Sequence, residues 1–156
     1  MWTELFDRLG MKSAVVQADL KGMPEGGSHV FATARDYAKF GYLFLNDGCW
    51  NGEHVLPEGW VTSSKTPSQT YLKGGGTDEE PTANGWMWWL NSNLPKFSEK
   101  PWPDAPDDAY TAIGHWGQWV VVVPSRDVVI VRLGDDRDSD GMSTKKLIPL
   151  ALAVVP

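Results

Sequence analysis

The stretch Gly114-His115-Trp116-Gly117-Gln118 has the residue types and spacing to do chemistry. An imidazole can exchange a proton or hold a carboxylate near neutral pH. A glycine beside it lets another molecule come close to the backbone, because no Cβ stands in the way. A histidine between two glycines at the start of an apolar run is unusual for packing alone. The plain alternative is a hydrogen-bonded histidine that merely begins a strand. The remaining candidates for metal chemistry, His29, His54 and Cys49, combine with His115 in no common ligand spacing, so no metal is expected.

Two apolar runs must position that stretch. Trp119–Val123 and Val128–Leu133 flank the turn Pro124-Ser125-Arg126-Asp127, which predicts a hairpin whose strands are buried on both faces. Upstream, Trp2, Leu5, Phe6 and Leu9 share one helical face, with Gly10 as its stop and Thr3 as the single cap candidate. Met11 to Ser28 reads as a strand-poor linker. Thr33 and Asp36 then form a capping box for a helix whose Tyr37, Phe40 and Phe44 share a face, with Gly48 at its exit. Gly41 inside this helix marks a close contact. Pro57 opens a shorter helix over Glu58 to Ser64. Thr66 to Ala83 is polar and loop-like, Trp86 to Leu90 a strand, and Asn91 to Asp108 a long irregular excursion with four prolines. Asp135 to Gly141 is an acidic link. Lys145 to Val155 reads as a terminal helix that Pro149 kinks or delays to about Ile148. Helices, then strands, then a helix predict one α+β domain over residues 1–156, with a mainly antiparallel sheet and flanking helices.

Composition excludes several classes. A net charge of −6, without a basic block, argues against a nucleic-acid partner. No apolar run approaches the ~20 residues of a membrane span, and Met1-Trp2-Thr3-Glu4 does not open a signal peptide. The single Cys49 excludes an intramolecular disulfide. Nine tryptophans are many for this length; most are expected to pack, with Trp116 the exception.

These residues resemble the C-terminal part of the serine β-lactamase-like hydrolases, the family of class C β-lactamases, penicillin-binding DD-peptidases and related esterases and amide hydrolases. Leu5 to Met11 is similar to a family segment ending in Leu-Gly-Met. Phe31 to Gly41 resembles its Thr-x-x-Asp-x-Ala-x-Phe-Gly helix, and Asn51-Gly52-Glu53 with Leu56-Pro57 and Trp60-Val61 the segment that follows. Gly114 to Gln118, a strand and Pro-x-x-Asp resemble the third catalytic motif and its hairpin. The resemblance puts His115, Trp116 and Gly117 at that motif's three positions, on the strand forming one wall of the active site. It implies a backbone N–H from Gln118 in the oxyanion hole, and a role for His115 and Trp116 in holding a small-molecule or peptide substrate. It implies acyl transfer that needs no cofactor, and it favours the bacterial periplasm while leaving the compartment open.

The family's nucleophile, the serine of Ser-x-x-Lys, and its Tyr-x-Asn or Tyr-x-Ser motif belong upstream of Leu-Gly-Met, which is reached here at residue 9. Neither Tyr-x-Asn nor Tyr-x-Ser occurs. The one Ser-x-x-Lys, Ser143-Thr144-Lys145-Lys146, follows the third motif and introduces the terminal helix, where a serine is an ordinary N-cap. The expectation is therefore the C-terminal portion of a serine hydrolase, inactive by itself. Its sheet should be incomplete and an apolar patch exposed, to be covered by an N-terminal complement or a second copy. The alternative is a non-catalytic module binding peptidoglycan or glycan through Trp50, Trp102 and Trp116.

Overall fold

The computed structural model describes residues 1–25, 27–73, 83–93, 97–137 and 142–155. Gly74 to Gly76, Asp78 to Pro81, Pro95 and the end of the acidic link lie outside the described residues.

The chain opens on a π turn, Trp2–Phe6, that runs into a short α-helix, α1 (Asp7–Leu9). Gly10 stops it at φ 62°, and the Met11 N–H closes on the Phe6 carbonyl at 2.8 Å. Thr3 caps nothing; Met1 holds the N-cap position without a side-chain bond. The expected linker is not strand-free. Within it β1 (Val15–Val16) pairs antiparallel with β2 (Val30–Phe31), closing a small sheet over Phe6, Leu9, Met11 and Leu43.

Helix α2 (Ala34–Leu45) begins at Thr33, as its capping box predicts. The box closes through a third residue. Thr33 Oγ1 accepts from the Asp36 N–H at 3.4 Å, but the Thr33 N–H donates to Ser13 Oγ at 3.0 Å, and Ser13 Oγ donates to Asp36 Oδ2 at 2.6 Å. Lys39 Nζ donates to Asp36 Oδ1 at 2.7 Å and also to the Gly10 carbonyl. Asp36 is buried here. The Lys39 ammonium, with help from Ser13, holds its carboxyl down at about 2.

After α2, β3 (Cys49–Trp50) and β4 (Glu53–His54) form a hairpin turned by Asn51 and Gly52, both at positive φ. Helix α3 (Trp60–Ser64) starts two residues later than expected, because Gly59 takes a left-handed conformation ahead of it. A further turn, α4 (Gln69–Leu72), interrupts the loop-like stretch. The expected strand Trp86–Leu90 is instead a hairpin: β5 (Ala83–Asn84) pairs with β6 (Trp89–Leu90), and residues 85–88 make the turn, with Met87 at φ 66°. Asn91 to Asp108 is irregular, as expected, and is pinned from within. Asn91, fully buried, donates to the carbonyls of Trp102, Ala105 and Pro106 and accepts from the Trp102 N–H.

Three longer strands follow: β7 (Tyr110–Gly114), β8 (Gln118–Val123) and β9 (Val128–Arg132). The first was hidden in the sequence by its Ala and Gly. Pro124–Arg126 forms a 3-10 turn between β8 and β9, closed by Asp127 at φ 51°. The main sheet is a five-stranded antiparallel meander in the order β5-β6-β7-β8-β9. Val120 and Val122 of β8 pack under α2, with Phe44, Trp88 and Tyr110. Trp119, Val121 and Val123 face the other way, against Ile148 and Leu152 of α5 (Thr144–Leu152). The apolar run is thus buried on both faces.

Helix α5 continues through Pro149. The missing N–H orphans only the carbonyl of Lys145, an exposed first-turn residue whose carbonyl water can satisfy. No helix of the described residues is long and apolar enough to cross a membrane. The sheet is α+β and open. In an antiparallel ladder, residues alternate between neighbours, and the β8–β9 register turns the N–H and C=O of Val129 and Val131 outward. Among the described residues no strand meets them.

Two substitutions test this construction. A Cβ on Gly41 would stand 2.6 Å from Val129 Cγ1 and 3.0 Å from Val120 Cγ1. Gly41→Ala is therefore expected to cost about 1–3 kcal/mol in urea unfolding, despite alanine's ~1 kcal/mol helix advantage. The lowered Asp36 carboxyl contributes stability that is complete above about pH 4 and is lost as pH falls towards 2. Asp36→Asn should remove about 2 kcal/mol at pH 7 and flatten the dependence between pH 4 and 2; equal midpoints for both proteins at pH 7 would refute this.

Candidate functional site

His115, Trp116 and Gly117 sit in the turn that joins β7 to β8, and only Gln118 lies in a strand. This differs from the expected placement of the whole motif on a strand. The turn is tight. Gly114 and Gln118 face each other as the last β7–β8 pair, leaving three residues to reverse the chain. Such closure needs left-handed backbone, taken up by Trp116 (φ 58°) and Gly117 (φ 83°). Because the register makes Gly114 and Gln118 a hydrogen-bonded pair, the Gln118 N–H donates to the Gly114 carbonyl. It is committed to the hairpin.

The opposite edge of β7 is different. The Asn91 N–H donates to the Ala109 carbonyl at 3.1 Å, which fixes the alternation: Ala109, Thr111 and Ile113 face β6, while Tyr110, Ala112 and Gly114 face β8. Strand β6 is only two residues long and covers Tyr110 and Thr111. Ile113 therefore turns its N–H and C=O to an edge that no described strand pairs. Ile113 is 44% exposed, and Trp116, three residues on, is 56% exposed. The His115 ring meets the Trp116 ring edge-on, 6.0 Å between centroids.

Behind the turn is a polar brace. Arg132 Nη1 donates to the Gly117 carbonyl at 2.7 Å, and the same guanidinium binds Asp136 through two bonds of 2.8 and 2.7 Å. The Asp136 N–H donates to the Trp116 carbonyl at 3.2 Å. Asp136 raises the Arg132 pKa further above its ordinary value, so the cation is permanent. The Gln118 amide donates to the Gly134 carbonyl and accepts from the Gly134 N–H at 3.2 Å. Gly117 thus has a reason to be glycine besides room for a substrate, since a Cβ there would lie 1.9 Å from Arg132 Nη1.

The other tryptophans considered for ligand binding do not join Trp116. Trp102 is buried and donates to Thr144 Oγ1 at 2.9 Å, and Trp50 is half-buried with its edge towards Tyr42. Among the described residues no group of three or more His, Cys, Asp or Glu is placed to hold a metal; Cys49 meets only His54, at 3.4 Å. Ser143 takes the N-cap position of α5.

The Beta-lactamase family model matches residues 1–153, nearly the whole chain. The chain belongs to this family. Among curated relatives, an uncharacterised protein of Alkalihalophilus pseudofirmus is 28% identical over 107 residues, covering 67% of this chain and 30% of that protein. The 6-aminohexanoate-dimer hydrolase of Paenarthrobacter ureafaciens is 29% identical over 132 residues, covering 83% of this chain and 31% of its own. The fold matches a candidate 6-aminohexanoate-dimer hydrolase from Bacillus anthracis with a TM-score of 0.67 at 22% identity, over 97% of this chain and 35% of that one. A candidate β-lactamase from Bacteroides dorei follows at a TM-score of 0.54 and 15% identity, over 97% and 47%. The chain spans about a third of the length of the curated relatives it matches.

Sequence reasoning missed Ile113, Arg132 and Asp136. Ile113 is an ordinary strand residue until β6 is seen to stop short of it. Arg132 ends an apolar run and Asp136 lies in an acidic link; only the β8–β9 register brings them to Gly117.

Proposed function

We propose that this chain is the C-terminal portion of a serine hydrolase that cleaves amide, ester or β-lactam bonds by acyl transfer. The observation that carries the reading is the β7 edge at Ile113, which no strand among the described residues pairs, beside the exposed His115–Trp116 turn, in a chain of the Beta-lactamase family. The relative from Paenarthrobacter supports amides within that range, since a dimer of an amino acid is joined by an amide bond.

In the proposed reaction a serine Oγ adds to the substrate carbonyl, the C–N or C–O bond breaks, and the amine or alcohol leaves with a proton. Water then cleaves the acyl-serine ester, returning the serine and releasing the acid. The serine and its Ser-x-x-Lys lysine, together with the Tyr-x-Asn or Tyr-x-Ser motif, lie outside these 156 residues. This chain contributes a wall. The donor role first expected of Gln118 passes to Ile113, whose N–H points to the open edge. A fixed backbone N–H there stabilises the developing oxyanion by a few kcal/mol. The Ile113 carbonyl can accept from a substrate N–H, as in strand addition at a free edge. Trp116 offers an apolar surface, and His115 can hold a substrate carboxylate. The open β9 edge gives an N-terminal complement a place to pair.

In-frame translation of the DNA upstream of Met1 is expected to show Ser-x-x-Lys followed by Tyr-x-Asn or Tyr-x-Ser. The 156-residue chain alone should leave a chromogenic ester and a chromogenic cephalosporin intact; enzyme-like turnover by it would place the nucleophile inside the chain and overturn the assignment. In the protein carrying the upstream serine, Ile113→Pro removes an N–H that β8 does not use. It should lower kcat by about 10²–10³-fold with the fold retained. An unchanged kcat removes Ile113 from the oxyanion hole.

A further inference from the structure

We propose that Arg132 and Asp136 are positioning residues that hold the His115–Trp116 turn in a strained, outward-facing conformation. The catalytic consequence rests on the hydrolase reading above; the positioning itself does not. Trp116 is a bulky residue at φ 58°, a region that costs a non-glycine residue about 1–2 kcal/mol, yet it stays 56% exposed, its ring covered by the surface Arg137 guanidinium 5.2 Å from its centre. An unconstrained turn would relax this backbone or fold the indole onto the sheet.

What opposes relaxation is a set of bonds to consecutive carbonyls. Asp136 takes the Trp116 carbonyl through its backbone N–H, and Arg132 takes the Gly117 carbonyl through Nη1. The two are tied by a two-pronged ion pair whose side chains are only 21% and 19% exposed, so water competes weakly for it. Below, the guanidinium lies 4.8 Å from the centre of the Trp119 ring, which fixes its plane. Gln118 adds its amide bonds to Gly134. A trans peptide points its C=O and N–H in opposite directions. Holding the Gly117 carbonyl towards Arg132 therefore also holds the Gln118 N–H towards Gly114 and keeps the end of β7 straight. The free N–H of Ile113 is one residue before that pair. Largely shielded charges are here committed to a turn whose own side chains are exposed.

The test compares Arg132→Met, Arg132→Lys and Gly117→Ala with the parent 156-residue chain by NMR. Methionine keeps a stem against Trp119 and loses the fork; lysine keeps the charge without the fork. In all three, the Trp116 indole and Gly117 and Gln118 amide signals should move, and protection of the Gln118 amide from exchange should fall about tenfold, the loss of roughly one charge-assisted hydrogen bond. The Val121 amide, mid-strand in β8, should keep its protection. Unmoved turn signals in Arg132→Met overturn the proposal. So does an equal loss at Val121, which would make the pair a general support of the fold. In the serine-bearing protein, Arg132→Met should lower kcat about tenfold with KM held within about twofold. If the parent protein hydrolyses nothing, the hydrolase reading falls and the NMR comparison still decides the brace.

Discussion

Helix α2 seats on β8 and β9 at a distance set by the missing side chain of Gly41. Val129 and Val120 occupy the space that a Cβ would need. This contact brings Phe44 into the aromatic group of Trp88 and Tyr110, with ring centroids 4.6 and 5.0 Å apart along the chain Phe44–Trp88–Tyr110. The Tyr110 hydroxyl then reaches the Phe44 carbonyl at 3.2 Å, and burial pushes its pKa far up. Tyr110 begins β7, so the strand that ends at the candidate site is anchored at its other end by the helix.

From that anchor the site follows by register. Alternation set at Ala109 decides which way Ile113 faces, and the short β6 decides that nothing among the described residues pairs with it. Where two neighbouring strands stop therefore decides which backbone groups are left open beside the turn. The chain belongs to the Beta-lactamase family, and among the described residues β9 ends the main sheet.

The sequence showed much of the frame and little of the edge. The capping box at Thr33, the glycine contact at Gly41 and the doubly buried run Trp119–Val123 were readable because each is a local pattern with one physical meaning. Strand β7 was not, since Ala112 and Gly114 carry little strand propensity and the strand's pairing comes largely from β8. The expected placement of Gly114 to Gln118 on a strand was not correct for His115 to Gly117. Two glycines around a histidine suit a turn as well as a cleft wall, and the deciding constraint, the Gly114–Gln118 pair, is not local in composition. Helix α5 starts at Thr144, ahead of Ile148, because Pro149 leaves only the carbonyl of exposed Lys145 without its helical partner.

The meander order β5-β6-β7-β8-β9 carries a consequence for how the chain assembles. Each strand pairs with the next in sequence; three of the four ladders close a turn of three or four residues, and β6 and β7 meet across residues 91–109. Such a sheet can zip together hairpin by hairpin as the chain leaves the ribosome. Strand β9 is the last of these strands to be made, and its outward-facing Val129 and Val131 are finished only when the rest of the sheet is already in place.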